Sequence, residues 1–228
     1  AADGPGVQTD WRIQNNESDY RFLRRIAEEE GFEFFVRGKK LHFRKPRAGS
    51  PVATLKYGKD ILVFNPQMNF RAPVKEVEAR GWDPATKKEV TATVKRGDEY
   101  LTLPGGKAGA DLQKFGQSKV VITGYPELNS ADYCKAVARA ALTRRALAFL
   151  TAEVEVPGNP ALLPGSTVKI TDVGPYGGTY YIVEANHFYD AAGYETIFYV
   201  AKDTLGEPEE VRRKLYQPAQ SLLQALEE

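Results

Sequence analysis

NNESDYRFLRRIAEEEGFEFFVRGKKLHF, residues 15–43, changes its hydrophobic period part-way along. Phe22, Leu23, Ile26 and Ala27 recur at helical spacing and form one apolar stripe. Asn16 or Ser18 can cap the helix, and Asp19 sits in its first turn, where the helix dipole favours an acid. Arg21, Arg24, Arg25, Glu28 and Glu29 fall mainly on the opposite face, with Arg24–Glu28 and Arg25–Glu29 spaced as i,i+4 pairs. Gly31 is a ready C-cap. Beyond it, FEFFVRGKKLHFR alternates with period two and predicts a hairpin turning at Gly38-Lys39. The stretch therefore predicts a helix at 18–30 and a β-hairpin, packed by their own aromatics. Consecutive acids on a helix point in different directions, so Glu28, Glu29 and Glu30 read as a solvated run rather than a catalytic pair.

Working outward, residues 46–60 form a connection with one short strand, ATLKY. ILVFNPQMNF predicts a strand interrupted at Pro66. VKEVEARGWD and KEVTATVK flank a Pro84-Ala85-Thr86 turn and predict an antiparallel pair. Residues 96–117 are glycine-rich and poorly patterned, which predicts a long polar loop that orders only on assembly. KVVITG is a strand, and Asn129 or Ser130 caps a long helix at about 130–148. Its face of Cys134, Val137, Ala138 and Ala141 is small enough to lie close to a sheet. LTAEVEV, STVKITDV, GTYYIVEANHFYD and YETIFYVAKD follow as strands, the last two joined through Ala191-Ala192-Gly193. From about 208 onward the pattern is helical, with Val211, Leu215, Leu222 and Leu226 as an apolar stripe.

These elements predict an α+β fold: an antiparallel, tube-like β-barrel domain, a small helix–hairpin α/β domain and a C-terminal helical segment. The expected divisions are 1–60 for the helix–hairpin segment, 61–203 for the barrel with its one long helix, and 204–228 for the helical tail. In all, 31 Lys and Arg against 30 Asp and Glu give a net charge of +1, which supplies no global attraction to nucleic acid or an anionic membrane. One cysteine excludes an internal disulfide, and with two histidines it argues against a dedicated transition-metal site. No apolar run reaches the roughly 20 residues of a membrane-spanning helix. The start, AADGPGVQTDW, has neither an initiator Met nor a signal-peptide pattern, and is expected to be that of a fragment or processed chain.

Candidate chemistry is sparse. His187 lies near Asp190 and Glu195 in sequence and could act as a general base oriented by a carboxylate, against the plainer reading of a strand residue beside a turn. There is no G-x-S-x-G and no nearby cysteine to serve as nucleophile. His42 reads as a partly exposed strand residue, and Cys134 as a buried thiol on the small-residue helix face. LPGGKAG lacks the spacing of a phosphate loop, and DVGPYGG reads as a tight turn. The aromatics of TYYIVEANHFY and YETIFYV could stack on bases or sugars, but read first as cross-strand pairs, and Glu184, Asp190 and Glu195 oppose a phosphate-tracking groove. No catalytic residue, cofactor or metal is expected.

Two segments together resemble a known family. The first carries Ser18-Asp19, Phe22-Leu23, Ile26-Ala27-Glu28-Glu29, Gly31, the aromatic pair Phe34-Phe35 and Gly38. The second has a turn at Pro164-Gly165, a strand, a turn at Gly177-Gly178, and then YYIVEANHFYDAAGYET with His187 and Gly193-Tyr194-Glu195-Thr196. Both are similar to segments of phage late control D proteins, whose fold is shared with the hub portion of type VI secretion spike proteins and with baseplate hubs of long-tailed phages. The resemblance spans most of residues 15–203, apart from 96–117.

It implies a non-enzymatic hub, a homotrimer whose tube-like domains make a pseudo-sixfold ring between the tail tube and the spike. Implied partners are identical copies, the tube protein and the spike protein, with no sequence-read nucleic acid and no stable membrane insertion. The implied location is the bacterial cytoplasm during assembly, then the virion tail or injection-system baseplate. Family members carry another tube-like domain before the helix–hairpin signature, so a fragment, trimmed product or reduced relative is expected here. The interface candidates are Phe22, Leu23 and Ile26 on the first helix and Val211, Leu215, Leu222 and Leu226 on the tail. The rival readings are a tail-associated cell-wall hydrolase and a β-barrel nucleic-acid- or glycan-binding module.

Overall fold

The computed structural model describes residues 12–112, 118–124, 128–191 and 193–206. In chain order the elements are α1 (Asp19–Glu30), β1 (Glu33–Arg37), β2 (Lys40–Arg44), β3 (Thr54–Lys56), β4 (Val63–Met68), β5 (Glu76–Asp83) and β6 (Lys88–Lys95). They continue as α2 (Gly109–Leu112), β7 (Lys119–Ile122), α3 (Ala131–Leu147), β8 (Leu150–Pro157), β9 (Thr167–Thr171), β10 (Gly178–Asp190) and β11 (Gly193–Lys202). The fold is α+β, as the periodicities predict. Chain contacts divide it into two compact units.

The first unit is drawn from stretches 12–48, 69–102 and 118–149. The helix–hairpin forms where its signals place it. Ser18 caps α1 by accepting from the Arg21 amide, and Gly31 closes it at φ 71°. The β1–β2 hairpin pairs Phe34 with Phe43 and Val36 with Leu41. A three-stranded sheet, in the order β6-β5-β7, carries α3 on one face. Val77, Ala79 and Val94 meet Cys134, Ala138, Ala141 and Leu142 there, all buried. The small residues of α3 permit that approach, and Gly81 extends it to the segment beside the sheet. A Cβ on Gly81 would lie 1.7 Å from the Leu128 carbonyl oxygen, so no other residue fits without displacing backbone.

The second unit is built from stretches 49–68, 103–112 and 150–206. One six-stranded sheet runs in the order β3-β9-β10-β11-β8-β4. All its pairs are antiparallel except β3 with β9. Its inner face is a continuous apolar layer in register: Phe64 opposite Val154, Val154 opposite Phe198, Val200 opposite Ile182, and Tyr180 opposite Val168. A bulge between Ile182 and Glu184 leaves Val183 exposed and re-aims the far half of β10.

Several expectations need correction. The division at residue 60 does not hold: β5, β6, β7 and α3 join the helix–hairpin, while β3 joins the large sheet. Non-local packing decides this, and local pattern carries no record of it. A closed antiparallel barrel is not formed by the described strands, since the sheet is open with β3 and β4 as its edges and β7 pairs parallel with β5 in the other sheet. Pro66 does not interrupt β4, which runs through it with Pro66 opposite Ala152. An edge strand tolerates a residue that lacks an amide proton.

The long loop is also more ordered than its composition suggests. Leu101, Leu103 and Ala110 are buried. Gly106 donates to the Leu205 carbonyl, Gly109 to the Asp203 carbonyl, and Leu205 back to Lys107. Backbone pairing needs no side-chain pattern, which is why the sequence hides it. Residues 113–117 lie outside the described residues, as do Val211, Leu215, Leu222, Leu226 and the predicted tail helices.

Candidate functional site

Of the proposed interface residues, Phe22, Leu23 and Ile26 all lie on α1, each half-buried. The Arg25 guanidinium sits 5.5 Å from the Phe22 ring centroid. The fully buried member of the stripe is Ala27. The opposite face of α1 is less solvated than its charges suggest. Arg24 and Glu28 pair in the open, at 2.9 Å. Glu29 instead takes Arg25 at 3.2 Å and Arg12 at 2.5 Å, and Glu30, only 6% exposed, takes Arg12 at 3.2 Å. Arg12 also donates to the Tyr133 hydroxyl at 2.8 Å.

This network fixes the start of the described chain to both α1 and α3. Burial pushes the Tyr133 phenol up to about 12, and burial likewise raises the Glu30 carboxyl. Sequence reasoning missed Arg12 and Tyr133 as partners, because they stand 121 positions apart and no local signal links them. Beside the network, within the same unit, α1, β7 and α3 line an open pocket of about 320 Å³. Ile122, Val137 and Ala141 supply its apolar wall, and Arg25, Glu29 and Arg144 its charged wall. Its acids and bases are largely spent on each other, so it can hold a side chain but offers no activated nucleophile.

His187 is placed by β10 and held by oxygen atoms. Nε2 lies 3.1 Å from the Leu162 carbonyl, which can only accept, so Nε2 carries the proton. The single Nδ1 lone pair is then shared between the Tyr194 hydroxyl at 2.9 Å and the Thr196 hydroxyl at 3.1 Å. Thr196 in turn accepts from the Asn159 amide. Asp190 and Glu195, its neighbours in sequence, make none of these contacts; Glu195 lies on the opposite face of the hairpin, opposite Phe188. His187 thus ties β10 to the 158–162 turn. His42 stacks flat on Phe35 at 4.8 Å, with the Arg44 and Arg37 guanidinium groups also packed on the Phe35 ring. Desolvation first, and the surrounding cations second, hold the His42 pKa below its ordinary value. Cys134 is buried with its thiol pKa raised by burial. Among the described residues no group of three His, Cys, Asp or Glu could hold a metal ion, and no helix is long and apolar enough to cross a membrane.

The model of the family described as Alg8 N-terminal domain matches residues 4–190. The chain belongs to that family. The match takes in all of the first unit's described elements and most of the large sheet, so both sheets belong to the Alg8 N-terminal domain pattern. No curated protein matches the sequence.

The fold of the chain is similar to those of tail proteins and of a virion component. The 43 kDa tail protein of prophage MuSo2 from Shewanella oneidensis is similar at a TM-score of 0.60 and 15% identity, over 85% of this chain and 56% of that one. The tail protein from Neisseria meningitidis MC58 is similar at 0.56 and 15%, over 84% and 56%. A chain of the native gene transfer agent virion is similar at 0.51 and 18%, over 83% and 40%. The chain spans just over half the length of the first two. At these identities the likeness is one of fold.

Proposed function

We propose that the chain is a structural, non-enzymatic hub component of a phage tail or phage-derived contractile injection system. In this reading it adapts the tail tube to the spike through homotrimeric assembly, with tube and spike proteins as its other partners. It assembles in the bacterial cytoplasm and ends in the virion tail or baseplate. The observation that carries the reading is the fold, shared with tail proteins over 85% of this chain. The resemblance of residues 15–43 and 156–200 to late control D proteins supports the finer identity of a hub. His187, saturated by Leu162, Tyr194 and Thr196, supports an architectural strand rather than a base.

The test is mass in solution across a concentration range. The expected outcome is a species of three 25.3 kDa chains that forms as concentration rises. A strict monomer at the highest concentrations counts against the hub. The hydrolase reading is tested in parallel: peptidoglycan cleavage by the chain that is lost on His187→Ala would establish it in place of the hub.

A further inference from the structure

Two surfaces of the chain carry opposite charge, each mixed with exposed apolar residues. The first is the outer face of the large sheet. There Glu155 stands opposite Ile197, and Tyr199 stands between Glu153 and Glu184. Glu195 shares this face, and the closeness of its carboxyl to that of Glu155, with desolvation and like-charge repulsion, raises the Glu155 carboxyl pKa. The Tyr199 phenol is likewise pushed up, first by its hydrogen bond to Glu153. Like charges across a sheet are destabilising unless something offsets them. None of these four carboxylates has an ion pair among the described residues.

The second surface is the β1–β2 hairpin. Residues 33–47 hold six cations and a single acid, Glu33, which is bridged to Arg44 at 2.9 Å. Lys39 and Lys40 are exposed at its turn, and neither is ion-paired among the described residues. Beside them the cross-strand pair Val36 and Leu41 is 64% and 45% exposed. A chain of net charge +1 that segregates charge in this way is complementary to itself.

We propose that the outer face of the six-stranded sheet receives the β1–β2 hairpin of a second copy of this chain. Lys39 and Lys40 at the turn of the arriving hairpin reach round its tip to Glu153, Glu155, Glu184 and Glu195, and Val36 and Leu41 cover Ile197 and Tyr199. The contact is head-to-tail, so it closes into a ring where the rotation between copies allows it. This deepens the hub reading, and rests on it for the closed ring but not for the pairing of the two surfaces.

The test is sedimentation velocity of the full chain at low and high salt, with two paired reversals. One carries Lys39→Glu and Lys40→Glu, the other Glu155→Lys and Glu195→Lys. Each reversal is expected to weaken self-association by about tenfold or more at low salt. An equimolar mixture of the two variants, and the chain carrying all four changes, should recover it. Circular dichroism checks the fold. If the lysine variant of the sheet misfolds, Glu155→Gln with Glu195→Gln replaces it, with weakened association again expected.

The outcomes separate the two readings. A trimer indifferent to salt and to both reversals overturns this contact and leaves the hub standing. A salt-sensitive, charge-reversible dimer supports the contact and overturns the trimer. A monomer under all conditions overturns both. Loss of binding to a labelled oligonucleotide on hairpin reversal, with self-association unchanged, assigns the hairpin to nucleic acid and overturns the contact.

Discussion

His187 and Tyr133 show how a titratable residue can be fully occupied by structure. His187 satisfies the carbonyl of Leu162, a residue whose side chain is completely buried. Its removal leaves that acceptor and two hydroxyls short of a partner. His187→Ala is therefore expected to cost about 1–3 kcal/mol in a urea titration, with no change in sedimentation. Tyr133 is the partner of Arg12, and its phenol titrates at about 12 instead of 10.0. Because the folded state keeps a proton that the unfolded state loses, stability is fully present below pH 10 and falls as pH rises toward 12. An alkaline unfolding series should show that fall, and Tyr133→Phe should flatten it. A fall of equal size in the Phe variant would assign it to other groups. His187 was visible in the sequence as a strand residue; the Arg12–Tyr133 bond was not, since only folding brings the two together.

At the scale of elements, capping and glycine geometry make α1 a defined helix. Ser18→Ala removes the acceptor for the Arg21 amide and is expected to cost about 1 kcal/mol. Gly31 and Gly38 both hold positive φ, at 71° and 61°. They differ in their surroundings. A Cβ at Gly31 would meet the Ala140 Cβ at 2.7 Å, whereas one at Gly38 meets nothing within 4 Å. Gly38→Ala should cost only the left-handed strain of about 1–2 kcal/mol, and Gly31→Ala about 1–3 kcal/mol beyond that, from the clash with α3. Equal losses in thermal unfolding would show that α1 and α3 can move apart freely. The helix and its hairpin were legible because cap, stripe and turn are local. The continuity of β4 through Pro66 was not, because only its edge position makes the proline harmless.

At the scale of the molecule, each unit is assembled from three separate stretches of chain. A cut between Phe149 and Leu150 would strip β4 from β8, and 103–112 from its partners near residue 204. Residues 150–228 expressed alone should expose the edge of β8 and show no cooperative thermal transition. A sharp transition in that fragment would mean that the sheet needs neither segment. The proposed hub belongs to this scale too, since the proposed contact joins the hairpin of one copy to the large sheet of another. Its check is the concentration-dependent mass.

The sequence by itself determined the types of most described elements, the caps and the α+β class, because hydrophobic period and capping residues act within a few positions; the short helix α2 was hidden in a stretch read as loop. It also carried the resemblance to tail hub proteins in residues 15–43 and 156–200. Only the tertiary structure decided which strands share a sheet, that the large sheet is open, and that residues 103–112 are pinned by backbone hydrogen bonds. It alone set the four sheet-face carboxylates on one face, two from β8 and two from the β10–β11 hairpin. The physical reason is the same in each case. These are pairings between distant segments, made by backbone groups every residue carries or by side chains whose neighbours exist only once the chain has folded.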